Sequence, residues 1–297
     1  MTRINHIRWN HLHLDIPQHW DVIVKARRHL ILENDLKPIA ELRWQPPGKH
    51  AGPLSGEKIA RQLAPGTDCS RSEVLTDLLP ARFRSKFAVE SFALDHSSED
   101  TVLLLTCKSC ATTLLIRVYG KSLESFQSHP FVLESLNCHP DPPESEKWQI
   151  QDFFFSLPGG FELERSSFRF GLTTLCFKSS EAELRLCRLA PASQHLQQNS
   201  LAALFQSFCG AQPENKMDAD PSALHYHYAP KLPEYLWGRI RRKKLYQAAS
   251  FTHIPHHDRI LGYSIRSKRP IEKSVKTMIE DGYGIIQKKK AADLPDS

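Results

Sequence analysis

The chain has 297 residues, of which 40% are apolar and 24% charged, enough to bury a core and too apolar for a disordered chain. Its formal net charge is +6. No apolar run approaches the ~20 residues that cross a bilayer, and the opening "MTRINHIRWNHLHLDIP" alternates polar and apolar residues where a signal peptide has an apolar stretch, so a cytoplasmic protein is expected.

The first predicted element, "HLDIPQHWDV", has period-two apolar residues and reads as a strand that ends at Pro17. A strand pair follows, up to "AELRW" at Ala40 to Trp44. The turn-rich "QPPGKHAGPLSG" leads to a helix start: Ser55 as N-cap, Leu54 and Ile59 at staple positions, Glu57 in the first turn. "LTCKSCATTLLIRVY", Leu105 to Tyr119, reads as a β-hairpin with Cys107 and Cys110 at its tip. "HPDPPESE" then has the proline and charge of a linker.

The same order recurs beyond that linker. A shift of 141 places Ile16, Pro17 and Trp20 on Leu157, Pro158 and Phe161, and "AELRL" at Ala182 to Leu186 repeats "AELRW" at a shift of 142. "FTHIPHHDRILGYSI" lines up with the cysteine hairpin at a shift of 146. Small increments of shift are what loop insertions between two copies produce. The second copy predicts a helix in "NSLAALFQSFCG", with Leu201, Leu204, Phe205 and Phe208 on one side and Gly210 as its stop, and a last helix in "RPIEKSVKTMIEDG". The expected organisation is a first repeat over 1–140, a linker over 141–147, a second repeat over 148–287 and a disordered tail over 288–297. The expected fold class is α+β: two internally repeated antiparallel-sheet units with helices packed on the sheets, because a strand with one apolar face needs a covering layer.

A strand ending in Ile16-Pro17 or Leu157-Pro158, followed by Trp20 or Phe161, resembles the PsbP-like α/β sandwich of photosystem II extrinsic proteins and certain type VI secretion chaperones. The resemblance implies a binding or chaperone-like scaffold and brings no catalytic residues with it.

The seven cysteines, at irregular spacing, make a poor disulfide framework. Cys107-x2-Cys110 has the spacing of a zinc knuckle, in which a tight turn aims two thiolates at one ion; the plain alternative is a hairpin tip that holds two thiols. The repeat places His253 and His256 at the corresponding tip, so Cys107, Cys110, His253 and His256 are the expected zinc ligands, with Cys138, His139 and His257 in reserve. His225 and His227 fall on one face of a strand with Tyr226 and Tyr228 on the other, which reads as a solvated face over a buried one; joined with His253 and His256 they form the ligand set of a metal-dependent hydrolase, the least favoured reading.

From Trp237 to Lys290 there are 14 Lys or Arg against 4 Asp or Glu, a local balance of +10. In "WGRIRRKKLYQ" the residues Trp237, Arg239, Arg241, Arg242, Lys243 and Lys244 are candidates for contact with an acidic protein or peptide partner, or with nucleic acid. G-x-S-x-G, P-loop, G-x-G-x-x-G and H-E-x-x-H patterns are absent from the sequence. A non-enzymatic adaptor or chaperone-like protein that binds an acidic partner is therefore expected, with nucleic-acid binding as the alternative.

Overall fold

The computed structural model of the chain describes residues 3–47, 69–71, 79–94, 100–139, 145–213, 222–234 and 243–286. The helix expected from Ser55, Trp237 and the basic residues Arg239, Arg241 and Arg242, most of the expected linker and the tail lie outside these ranges. Two compact units form: Met1–Asp141 with Trp148–Gln151, and Pro142–Lys147 with Asp152–Ser297.

The first unit begins with a hairpin of β1 (Ile4–Trp9) and β2 (Leu12–Pro17) in continuous register from Ile4↔Pro17 to Trp9↔Leu12. Its alternation buries Leu12, Leu14 and Ile16, as period two requires. There follow β3 (Trp20–Ala26), β4 (His29–Asn34), β5 (Lys37–Gln45) and β6 (Cys69–Arg71), then α1 (Ala81–Lys86). Next come β7 (Phe87–Leu94), β8 (Thr101–Cys107) and β9 (Thr113–Val118), and the short helices α2 (Leu123–Ser128) and α3 (Phe131–Ser135). The main sheet has the order β3-β4-β5-β9-β8-β7-β6, antiparallel throughout. Gln149 of β10 (Ser145–Ile150) pairs with Arg8.

In the second unit come β11 (Phe153–Pro158), β12 (Glu162–Arg169), β13 (Leu172–Lys178) and β14 (Ala182–Leu189). Then α4 (Ala192–Gln198), α5 (Leu201–Cys209), β15 (Ala223–Tyr228), β16 (Tyr246–Ile254) and β17 (Arg259–Ser267) follow, and α6 (Lys273–Gly282) and β18 (Gly284–Ile285) close the unit. Its sheet order is β12-β13-β14-β17-β16-β15, strand for strand the order β3-β4-β5-β9-β8-β7 of the first unit. The registers also correspond: Glu41 faces Arg117 as Glu183 faces Arg266.

The α+β expectation is overturned. Strand makes up 52% of the described residues and helix 22%, so the fold is largely β. Apolar sheet faces do need a cover, but strands supply much of it. In the first unit Trp9 Nε1 donates to Arg27 O at 3.1 Å and Trp44 Nε1 to Asn10 O at 3.0 Å, which fixes the β1–β2 hairpin over β3 to β5. In the second, Phe153 and Phe155 of β11 meet Tyr283, and Phe155 meets Phe177 of β13. Helices add to the cover in the second unit. Ala192, Phe205 and Cys209 of α4 and α5 pack on Cys187, Leu189, Ala249, Phe251 and Ile260. Ser200 caps α5 by accepting from Ala203 N at 3.1 Å, and Gly210 ends it in the left-handed region at φ 71°. The last helix starts at Lys273, later than its Pro270 suggests, and buries Ile279.

Candidate metal centre

The β8–β9 connection runs from Cys107 to Thr113. Ala111 N donates to Cys107 O at 3.0 Å and Cys107 N to Thr112 O at 2.9 Å, closing a tight loop. Ala111 takes φ 56°, a left-handed turn that curls the chain back after Cys110. Both cysteine side chains therefore come to the same side of the tip.

A second segment arrives after α3. His13 N donates to Asn137 O at 2.8 Å and Asn137 N to His13 O at 2.9 Å, a bridge that ties the chain to β2 just before Cys138 and His139. Lys86 Nζ donates to Glu134 O at 2.7 Å and Lys108 N to Lys86 O at 3.0 Å, so α1 links the two segments.

Together they bring Cys107, Cys110, Cys138 and His139 into one group whose ligand atoms all lie within 4.8 Å of one another. Cys110 Sγ is 3.5 Å from Cys138 Sγ, and Cys107 Sγ is 3.7 Å from His139 Nε2. Four ligands about 2.3 Å from a central ion lie about 3.8 Å apart along the tetrahedron's edges. These separations are well beyond a disulfide's roughly 2.05 Å, and the cysteines are free thiols. The group can hold a metal ion.

The proton inventory points the same way. Burial raises the Cys110 thiol, but contacts with the Thr112 hydroxyl and backbone, then with the Cys138 and Cys107 thiols, outweigh it and leave it below the ordinary cysteine value. Cys138 goes the opposite way, raised first by burial and then by its hydrogen bonds to Cys110 and Cys107. One thiolate forms easily here and a second is opposed by the first; a divalent cation removes that opposition.

His139 is oriented by Asn137. The Asn137 side-chain atom that accepts His139 N–H at 3.1 Å must be oxygen, and the same Oδ1 lies 3.0 Å from His139 Nδ1. Nδ1 therefore carries the ring proton and donates it, leaving the Nε2 lone pair for a metal.

The group draws on both expected cysteines and on the reserve pair Cys138 and His139. His253 and His256 belong to the second unit, on β16 and on the turn Pro255–His257 beside it. There Asp258 accepts Ser193 N at 2.6 Å, so this tip docks α4. His225 and His227 are exposed and alternate with half-buried Tyr226 and Tyr228 on β15. Among the described residues, none of these histidines joins a group of three or more metal-ligating side chains. Of the basic run, Lys243 is exposed and Lys244 Nζ lies 3.0 Å from Glu183 Oε2. Asn137 was missed in the sequence; its signal was its place directly before a Cys-His dipeptide.

No protein-family model, curated protein or solved structure matches the chain. No helix among the described residues is long and apolar enough to cross a membrane.

Proposed function

We propose that the chain is a non-catalytic binding scaffold whose first unit is held together by one structural zinc ion. The observation that carries this reading is the donor set: three sulfurs and one imidazole nitrogen lie within 4.8 Å of one another, the ligand number and type of a closed structural zinc site. Soft sulfur ligands in tetrahedral array favour zinc over hard cations. The two ligand segments are 28 residues apart at Cys110 and Cys138, so the ion staples the hairpin tip to the chain that follows α3.

The scaffold binds an acidic protein partner in the cytoplasm. Free thiols at Cys110 and Cys138 suit a reducing compartment, and the +10 balance between Trp237 and Lys290 suits an acidic partner. Nucleic acid is the weaker candidate, because Lys244 of the basic run is already paired with Glu183.

The test is metal content, by mass spectrometry, of untagged protein beside a Cys107→Ser/Cys110→Ser double variant. About one zinc per chain, lost in the variant, is expected. Wild-type protein that is folded and metal-free after purification in zinc-supplemented buffer sinks the structural-zinc reading.

A further inference from the structure

A cleft of about 420 Å³ opens in the first unit, walled by β1–β2, by α1 and by the segment from Phe131 to Asn137. Its volume is that of a small-ligand or peptide pocket. Three basic side chains line it: Arg8 from β1, and Arg82 with Lys86, one helical turn apart on α1. Like charges at this spacing oppose each other. Lys86 is held below the ordinary lysine value, first by burial and then by the charge of Arg82, with Glu134 working against the shift.

Two carboxylates line the same cleft, Asp15 and Glu134. Asp15 is engaged by His6 Nδ1 at 2.7 Å. Lys86 directs two N–H groups at the Glu134 and Leu136 carbonyls, at 2.7 and 3.4 Å, which leaves a third. Arg82 is exposed, with no carboxylate partner among the described residues. Arg82 thus presents an open guanidinium fork and Lys86 an open ammonium proton, a local positive charge on the α1 wall of the cleft. Beside them lie apolar surfaces, Ile4 at 46% exposure and the half-buried Phe131.

We propose that this cleft takes an acidic segment of a protein partner, with a carboxylate on Arg82 and Lys86 and a neighbouring apolar side chain against Ile4 and Phe131. The inference rests on the binding-scaffold reading and gives it a site. Charge complementarity selects the occupant: a carboxylate accepts the two parallel bonds of an arginine fork and relieves the repulsion within α1. Through Asn137, which lines the cleft and orients His139, and through Lys108 N on Lys86 O, two walls are tied to the metal-ligand group.

The test uses the full chain and a fluorescein-labelled octapeptide of alternating Glu and Leu, with a Gln and Leu counterpart, read by fluorescence polarisation. Zinc content is measured on the same samples. Saturable binding is expected, weakened about tenfold both by Arg82→Glu and by the Gln peptide, with zinc content unchanged in Arg82→Glu. No binding at up to about 1 mM peptide, or equal binding by Arg82→Glu, overturns the proposal. Arg82-dependent binding by zinc-free protein upholds the cleft and removes the zinc; zinc-loaded protein that ignores the peptide does the reverse.

Discussion

Cys110 Sγ and Cys138 Sγ stand 3.5 Å apart, close to the roughly 3.8 Å edge of a tetrahedron about a metal, although one lies on a hairpin tip and the other follows a helix. The two segments meet because the His13–Asn137 bridge and the Lys86 contacts have already placed the backbone. Cys138→Ser is therefore expected to lose the metal as completely as Cys110→Ser does. Thermal unfolding with and without chelator checks this: wild-type protein should drop by at least about 5 °C on chelation, and both variants should be insensitive to it.

Asn137 would act on a bound metal only through His139, whose Nδ1 lies 3.0 Å from Asn137 Oδ1. Asn137→Ala removes the acceptor that holds Nδ1–H and should weaken zinc binding about 10- to 100-fold, measured by competition with a chromophoric chelator. Asn137→Asp keeps an oxygen in place and should restore most of the affinity. Equal affinity in all three proteins would mean that the imidazole needs no orienting partner.

Asp152 provides a pH handle in the second unit. Burial raises its carboxyl, but the Arg188 guanidinium, and after it Arg259 Nε at 2.9 Å, outweigh burial and hold it below the usual aspartate value. A depressed carboxylate stabilises the native state above its unfolded value, and that contribution is lost as pH falls through the folded value. Stability should accordingly decline from about pH 4 downward. Asp152→Asn should lose about 3 kcal/mol at pH 7 and flatten that decline, as followed by urea unfolding at pH 3 to 7.

Gly262 on β17 has no room for a side chain. A Cβ there would stand 2.1 Å from the Phe251 ring and 2.9 Å from Cys187 Sγ. Phe251 cannot retreat, because Phe205 and Phe208 pack on its ring. Gly262→Ala should destabilise the protein by about 2–3 kcal/mol in denaturant titrations.

Leu36 offers the opposite result. It sits in the β4–β5 turn at φ 62°, after Asp35 at φ 49°, and is 88% exposed. The left-handed region strains a branched side chain, and nothing is buried in return. Leu36→Gly should gain about 0.5–1 kcal/mol, measured as a shift in the urea midpoint at unchanged slope.

Local pattern was enough to read the alternating strands, the hairpin that carries Cys107 and Cys110, the Ser200 to Gly210 helix with its caps, and the exposed histidines of β15, because each depends on neighbours a few residues away. The matching order of elements was also visible, since the corresponding strands of the two units carry apolar residues at corresponding positions. What covers each sheet was not: a period-two strand states that one face is buried and is silent on whether a helix or another strand lies on it. Trp9 over Arg27 and Phe155 against Phe177 are contacts between elements, and they made the fold largely β. The ligand set was divided in the same way. Cys107-x2-Cys110 is a local spacing, legible as it stands, whereas the choice of Cys138 and His139 depended on where α3 ends and on a two-bond bridge from Asn137 to His13, distances that only the folded chain defines.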